Sequence, residues 1–133
     1  MLFTRASEYA LLSLIYLATK EKPQDVDTIS SELNISKSFL AKILQSLAKD
    51  NLLVSYKGAK GGFALRKNAS NYTIREIIES AEKKKTDVFE CSRGSCPNNQ
   101  DRCLLLSILV NLQNKVDNYL DSLTLEDVIN GKK

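Results

Sequence analysis

The sequence predicts a mainly α-helical fold with a small β-hairpin wing and a long C-terminal helix for dimerisation. Three observations lead to this fold class. Apolar residues recur at helical spacing through the first 49 residues, a hairpin rich in glycine and lysine follows them, and a second helical stretch with a coiled-coil seam lies near the C-terminus. A segment that contains all three cysteines precedes that last helix.

Composition limits the classes of protein to which the chain can belong. Its 133 residues suit one compact domain, or a small domain with an oligomerisation element. The chain contains no histidine, and neither a nucleophile and base pair nor a phosphate loop is visible, so we do not expect an enzyme. No apolar run approaches the roughly 18 residues of a membrane span, and the first residues lack a signal-peptide pattern. We therefore expect a soluble, cytoplasmic protein without a membrane partner.

The net charge of +3 is distributed unevenly along the chain. Seven lysine and arginine residues fall between positions 37 and 67. They predict a local positive face, which suits a nucleic-acid partner better than the modest total charge does.

The first half of the chain predicts three helices joined by short turns. Residues 7–20 carry apolar side chains at the spacing of a helix that packs on one face. A short second helix over residues 28–33 follows, with Asp27 as its N-cap. Asn34 tolerates left-handed backbone angles and makes the turn to a third helix over residues 37–49, which Ser36 caps.

The third helix has a core-facing apolar side and an opposite side of small, polar and basic residues. That opposite side comprises Lys37, Ser38, Ala41, Lys42 and Gln45. A helix that reads the DNA major groove needs such a side, because it must approach the base edges closely and form hydrogen bonds with them. A merely solvated helix surface has the same composition, and on this side alone we favour that ordinary interpretation.

A β-hairpin with a basic tip follows the third helix. Two strand-like runs, residues 52–56 and 62–65, flank the segment Lys57-Gly58-Ala59-Lys60-Gly61-Gly62. The glycines, Gly61 among them, allow a close backbone approach, and Lys57 and Lys60 would then reach phosphates or the minor groove. An exposed hairpin with solubilising lysines is the alternative, but the helix pair and the wing in this order favour a winged helix-turn-helix that binds DNA.

A fourth helix follows the hairpin. Thr73 and Glu76 have the spacing of a capping box, and the apolar residues after Thr73 face inward at helical spacing. The charged run at residues 82–85 is interpreted as the solvated end of this helix, without a site.

A long amphipathic helix follows the cysteine segment. Its apolar residues recur in alternating steps of four and three, which is the a/d seam of a coiled coil. The seam comprises Leu105, Leu109, Leu112, Val116, Tyr119 and Leu123. A helix of about 30 Å with this seam presents more apolar surface than one small domain covers, so we expect a homodimer. Packing on its own N-terminal domain is the alternative. Residues 124–129 predict one last short helix.

The cysteine segment contains Cys91, Cys96 and Cys103. The Gly, Pro and Asn residues between them exclude a regular helix or strand and predict a loop that can fold three sulfurs around one centre. An odd number of thiols in a reducing compartment argues against a disulfide framework, which leaves metal chemistry or inert buried thiols. The chain thus divides into a DNA-binding domain at 1–82, a cysteine loop at 83–103, and a dimerisation helix with its tail at 104–133.

The chain resembles the Rrf2 family of bacterial winged-helix regulators over essentially its whole length. The shared motifs are the opening at residues 4–17 with Tyr9, the segment Ile35-Ser36-x-Ser38-x-Leu40, the wing segment Lys60-Gly61-Gly62, the triple-cysteine loop, and the ending Leu123-Thr124-Leu125. The resemblance implies a homodimeric transcription factor, usually a repressor, whose affinity for palindromic DNA changes with the state of a bound iron-sulfur cluster. By the same resemblance the three cysteines are the thiolate ligands of a 2Fe-2S or 4Fe-4S cluster.

The fourth ligand distinguishes the branches of that family. IscR-like members place a histidine shortly after the third cysteine, where this chain has Leu106. NsrR-like members resemble this chain in the four residues between the first two cysteines, and use an acidic residue of the partner subunit's first helix at the position of Glu8. Glu8 is equally well explained as a carboxylate favoured by the helix dipole. The gap from Cys96 to Cys103 is one residue longer than in those members.

These features lead to a DNA-binding regulator, a repressor by resemblance, that senses nitric oxide, redox state or iron-sulfur supply. Because the ligand pattern is nearer to that of the NsrR-like members, the resemblance favours nitric oxide or redox stress as the signal. We expect DNA contacts from Thr4, Arg5, Ser36, Lys37, Ser38, Lys42, Gln45, Lys57, Lys60 and Gly61. One alternative is a cluster-free regulator of the same fold that responds to a small molecule, a protein partner or direct thiol oxidation. Another is a zinc-stabilised protein-interaction module.

Overall fold

A computed structural model describes residues 3–88 and 104–131 of the chain. Its helices and strands are α1 (Arg5–Ala18), α2 (Val26–Leu33), α3 (Lys37–Lys49), β1 (Leu53–Tyr56), β2 (Gly62–Leu65), a 3₁₀ turn (Ala69–Asn71), α4 (Ile74–Glu82), α5 (Leu106–Ser122) and α6 (Leu125–Ile129). The strands pair antiparallel as a hairpin. The predicted mainly α-helical fold with a β-hairpin is confirmed.

Capping residues decide where α1 and α2 begin. Thr4 caps α1 by accepting a hydrogen bond from the Ala6 amide at 3.2 Å, so this helix begins earlier than the predicted residue 7. Asp25 caps α2 by accepting from the Thr28 amide at 2.7 Å. The prediction of Asp27 as this cap was wrong. Asp25 has the extended backbone that an N-cap needs, whereas Asp27 already lies in the first turn of the helix.

The turn between α2 and α3 is the predicted one. Asn34 adopts a left-handed conformation with φ 55° and ψ 48°. The observed α3 has the predicted bounds, and Ser36 stands at its N-cap position. The Ser36 hydroxyl nevertheless lies 3.3 Å from the Ser38 hydroxyl and forms no capping hydrogen bond. The predicted capping role of Ser36 was therefore wrong.

Tyr72 connects the hairpin to the hydrophobic core. Its side chain is fully buried. Its hydroxyl donates to the Leu52 carbonyl at 2.6 Å and accepts from the Arg66 amide at 2.9 Å. Since a buried hydroxyl is costly without partners, these bonds fix both ends of the hairpin against the helices.

The hairpin also pairs with the segment that precedes α2. The Phe63 amide donates to the Gln24 carbonyl at 2.8 Å, and the Gln24 amide donates to the Phe63 carbonyl at 3.0 Å. Gly62 makes this approach possible. Its φ is +140°, and a Cβ atom there would clash with the Gln24 carbonyl group. The wing is thus attached to the helix-turn-helix through a glycine that no larger residue can replace without movement.

The C-terminal helices share the core of the N-terminal ones. The Ile74 amide donates to the Leu123 carbonyl at 2.9 Å, and the Leu125 amide donates to the Tyr72 carbonyl at 3.0 Å. Leu120 and Leu125 are buried in the same apolar cluster as α1, α3 and α4. Thr124 caps α6, the predicted last short helix. Among the helices described here, none is both long and apolar enough to cross a membrane.

Candidate nucleic-acid interface

The outward side of α3 is the centre of the candidate interface. Leu40, Leu44 and Leu47 are fully buried and hold one side of the helix against the core. This anchoring turns the opposite side to solvent. Its exposed residues are Ser36, Lys37, Ser38, Lys42 and Gln45, while Ala41 is half-buried. The arrangement presents hydroxyl, amide and ammonium donors along one face of a rigid helix, which are the groups that base edges and phosphates accept.

Lys37 is paired with a carboxylate at the start of α3. Its Nζ lies 2.5 Å from Oδ1 of Asp27 on α2, and both side chains are mostly exposed. The hydrogen bond from this ammonium to Asp27 raises the pKa of Lys37. Exposed pairs of this kind contribute little to stability, so Lys37 can exchange Asp27 for a phosphate at small cost.

The start of α1 lies beside the start of α3. The Arg5 Nη1 donates to the Tyr9 hydroxyl at 3.2 Å, and the Tyr9 ring stands edge-on to Phe39 with centroids 5.5 Å apart. The hydrogen bond with Tyr9, together with the nearby charge of Glu8, raises the pKa of Arg5. Phe39 is 40 % exposed. Sequence reasoning did not single it out, although a large apolar residue outside the buried spacing of α3 was a visible signal.

Thr4 and Ser7 bind a carboxylate of α4. The Thr4 amide and hydroxyl donate to Oε2 of Glu82 at 2.9 and 2.6 Å, and the Ser7 hydroxyl donates to the same oxygen. Partial burial alone would raise the pKa of Glu82, but the hydrogen bonds from Ser7 and Thr4 outweigh it and lower the pKa. The hydroxyl predicted to meet phosphate is therefore already engaged in the free protein.

The wing tip presents Lys57 and Lys60 to solvent. Gly58 has φ +100°, and its carbonyl accepts from the Gly61 amide at 3.0 Å. A Cβ atom at Gly61 would clash with the Tyr56 carbonyl oxygen. The tip is consequently a tight turn that depends on its glycines and carries both lysines at its surface.

The predicted cluster ligands Cys91, Cys96 and Cys103 lie outside the described residues. Glu8 is described, and it is exposed on the first turn of α1. Within residues 3–88 and 104–131, no three His, Cys, Asp or Glu side chains converge as a metal site. The donor chemistry fits an iron-sulfur or zinc centre, because three thiols and no histidine leave soft thiolates as the dominant ligands.

The predicted seam of α5 divides into two sets. Leu105 and Tyr119 are more than half exposed, and Leu112 is 41 % exposed. Val116 and Leu123 instead pack against the chain's own core. The exposed set follows a seven-residue spacing along α5 and is left uncovered by the other described parts of the chain.

A buried polar cluster joins α5 to the residues just before the cysteine segment. Gln113 is almost fully buried. Its Nε2 donates to the Thr86 carbonyl at 2.5 Å and to Asp117 at 2.9 Å, while its Oε1 accepts from the Val88 amide at 2.7 Å. Arg75 of α4 approaches the same Asp117 at 3.5 Å. Sequence reasoning missed this cluster. Gln113 and Asp117 stand four residues apart among many other polar residues of this amphipathic helix, so the sequence does not mark them as buried.

These elements define the class of protein. A short helix, a left-handed turn, a second helix with an exposed basic face and a glycine-rich β-hairpin together form a winged helix-turn-helix of the DNA-binding type. The sequence profile of the Rrf2 family, described as iron-dependent transcriptional regulators, matches residues 3–131. The chain therefore belongs to the Rrf2 family.

Individual relatives agree with this assignment. The chain is 31 % identical over its whole length to 82 % of the HTH-type transcriptional regulator IscR of Pectobacterium atrosepticum. It is 29 % identical to 83 % of the Escherichia coli protein of that name, again over its whole length. These relatives confirm a DNA-binding transcriptional regulator, which is not a class of enzyme.

Solved structures show the same fold. CymR of B. subtilis, described as its global cysteine regulator, superposes with a TM-score of 0.81 at 25 % identity, covering 98 % of both chains. T. potens IscR superposes with a TM-score of 0.77 at 20 % identity, covering 98 % of this chain and 88 % of that one.

Proposed function

We propose that this protein is a homodimeric, cytoplasmic repressor that binds palindromic DNA and senses nitric oxide or redox stress through an iron-sulfur cluster. The observation that supports the cluster most strongly is the set of available ligands. All three cysteines lie in one short segment, the chain has no histidine, and its family is described as iron-dependent. The cluster is 2Fe-2S or 4Fe-4S, held by Cys91, Cys96 and Cys103. Three thiolates leave one metal position to a weaker, exchangeable ligand, which suits a sensor.

Base reading is assigned to the outward side of α3. Ser36, Ser38 and Gln45 supply hydrogen bonds to base edges, and Lys42 supplies a charged donor. The wing, with Lys57, Lys60 and Gly61 at its tip, contacts the neighbouring minor groove or phosphates. The remaining proposed contacts are to phosphates. They come from Lys37 at the start of α3 and from Thr4 and Arg5 at the start of α1.

Homodimerisation is assigned to the exposed apolar side of α5. Leu105, Ile108, Leu112 and Tyr119 follow one side of this helix, and each is exposed in the single chain. A second copy related by a two-fold axis would cover them and would place two α3 helices on the two halves of a palindromic site. The seam residues Val116 and Leu123 pack against the chain's own core, and Leu109 is half-buried.

Glu8 is proposed as the fourth cluster ligand, donated across the dimer. Its exposure on α1 leaves the carboxylate accessible to a second subunit. When bound, the cluster supplies a centre that reacts with nitric oxide and oxidants. The polar cluster of Gln113 and Arg75 offers a path from residues 86–88 to α4. Gln113 of α5 binds these residues and Asp117, and Asp117 is paired with Arg75 of α4, so a shift of residues 86–88 would disturb contacts between α5 and α4.

The test is an absorption spectrum with iron, sulfide and zinc analysis on protein purified without oxygen. We expect visible absorbance with matched iron and sulfide, its loss in Cys96→Ala, and an altered spectrum in Glu8→Ala. Glu32→Ala, an exposed helical glutamate on α2, is the matched control and should leave the spectrum unchanged. A colourless, iron-free native protein would refute the cluster.

A second candidate is a cluster-free regulator that uses its cysteines as redox thiols. The likeness to CymR, described as a cysteine regulator, favours it over the zinc-stabilised interaction module. In that case iron-free protein would bind DNA, and thiol oxidation would change the affinity reversibly. Stoichiometric zinc in place of iron, without salt-dependent DNA binding, would instead indicate the zinc-stabilised module.

A further inference from the structure

A groove of about 520 Å³ lies between the C-terminal ends of α3 and α4. Its lining residues are Lys42, Gln45, Ser46, Lys49, Asp50 and Lys83. Lys42 and Gln45 belong to the proposed DNA-reading side of α3, so the groove is continuous with that side. Lys83 comes from a different element, the end of α4, in the charged run that sequence analysis interprets as a solvated helix end without a site.

The position of Lys83 is fixed by its neighbours. Lys83 ends α4 in a left-handed conformation with φ 59°. The preceding residue, Glu82, accepts the hydrogen bonds from Thr4 and Ser7 of α1. These contacts hold the end of α4 against α1, and the hydrogen bond from the Ser80 hydroxyl of α4 to Asp50 holds it beside the end of α3. The backbone that carries Lys83 is therefore held in place from both sides.

The charge of the groove is positive. Three of its lining residues are lysines and one is a carboxylate. That carboxylate, Asp50, accepts a hydrogen bond from the Ser80 hydroxyl at 2.6 Å, which also ties the end of α4 to the end of α3. Lysines 42, 49 and 83 are all exposed. Three lysines that line one groove beside a DNA-reading helix match the charge of a nucleic-acid backbone.

We propose that this groove binds a phosphate of the double-stranded DNA backbone, with Lys83 and Lys49 as its ligands, and so extends the protein's footprint beyond the helix-turn-helix and wing. The proposal rests on the proposed DNA-binding function and names an additional contact within it. Lys83 neutralises charge and carries no base information, so its removal should weaken binding to all sequences alike.

The experiment uses full-length protein and a duplex enriched for binding from a random library. Affinity is measured by fluorescence anisotropy over a range of salt concentrations for the native chain and Lys83→Gln. We expect the slope of log affinity against log salt to become shallower by about 0.9 in Lys83→Gln, the value for one lost phosphate contact. Lys84→Gln is the matched control, because Lys84 is the adjacent exposed lysine and does not line the groove.

A second measurement locates the phosphate. Duplexes with one neutral methylphosphonate at successive positions should bind the native chain less well at the contacted phosphate, and Lys83→Gln should be insensitive there. Two results would refute the proposed phosphate contact in the groove and leave DNA binding intact. One is an equal salt dependence of affinity for Lys83→Gln and Lys84→Gln. The other is a set of methylphosphonate duplexes on which the native chain and Lys83→Gln respond alike at every position. A native protein that binds no duplex would refute both the phosphate contact of the groove and the proposed DNA-binding function.

Discussion

Glu82 is the residue on which the start of α1 depends. One of its oxygens accepts three hydrogen bonds, from the Thr4 amide, the Thr4 hydroxyl and the Ser7 hydroxyl. Charged hydrogen bonds of this kind contribute more than neutral ones, although partial exposure reduces the gain. Because Thr4 caps α1, this single carboxylate also holds the first turn of α1, which contains Arg5 and Glu8.

The lowered pKa of Glu82 predicts the pH dependence of stability. A depressed folded-state pKa stabilises the protein above the unfolded value of 4.5, and this contribution is lost as pH falls through the folded pKa. Glu82→Gln should cost roughly 1–2 kcal/mol near neutral pH and show a shallower loss of stability in acid. Urea unfolding from neutral pH to about pH 3 measures both. The exposed control Glu21→Gln should keep the native pH profile. A Glu82→Gln profile parallel to the native one would contradict the assignment.

Gly62 supports a second prediction at the residue scale. Its positive φ and the clash that a Cβ atom would make with the Gln24 carbonyl predict that Gly62→Ala costs at least about 2 kcal/mol. Gly58→Ala is the control, since Gly58 also has positive φ but has open space around its Cβ position. Thermal unfolding should therefore separate steric contact from backbone strain. Equal destabilisation by the two substitutions would show that the backbone pairing of Gln24 with Phe63 does not require a glycine at position 62.

At the scale of elements, the sequence predicted the positions of the helices well and their capping residues less well. The bounds of α3 follow from local signals: an apolar period, a turn at Asn34 and polar residues at its start. Asp25 and Asp27 are both good caps by composition, and only the observed backbone distinguishes them. Likewise, Ser36 occupies the predicted N-cap position, yet the sequence does not determine where its hydroxyl points.

The helix α5 shows why periodicity alone does not reveal a partner. Seam residues at both a and d positions are apolar, yet Val116 packs on the chain's own core while Tyr119 is exposed. Similarly, the buried hydrogen bonds of Gln113 connect residues more than twenty positions apart. No local pattern contains such contacts. They depend on how the segment after α4 packs against α5, which the sequence leaves undetermined.

Gln113 supports a prediction at this scale. Gln113→Leu replaces the amide with an apolar side chain and leaves the Thr86 carbonyl and the Val88 amide without their observed partner. We expect a loss of about 1–3 kcal/mol and faster hydrogen exchange at the Val88 amide. The exposed neighbour Asn114 gives the control Asn114→Leu, which should change neither. Unchanged exchange at Val88 in Gln113→Leu would show that α5 does not hold the residues before the cysteine segment.

At the scale of the whole molecule, DNA affinity depends on the number of reading helices brought to one site. A single α3 with its wing contacts one half-site, and linking two such units makes the second contact intramolecular. The exposed side of α5 is the surface proposed to make that link. Leu112 and Tyr119 lie on it and belong to α5 rather than to α3, so substitutions there do not change any DNA-reading residue.

Tyr119→Glu tests this dependence. A charge within an apolar interface should disfavour the dimer, because the carboxylate would lose its water without gaining a partner. We expect sedimentation to show a monomer and the affinity for a palindromic duplex to fall by about 100-fold or more, while affinity for a single half-site stays the same. Asn118→Glu, an exposed substitution of the same charge on the same helix, should remain dimeric. If Tyr119→Glu stayed dimeric with native DNA affinity, the two copies would have to meet through a surface other than this side of α5.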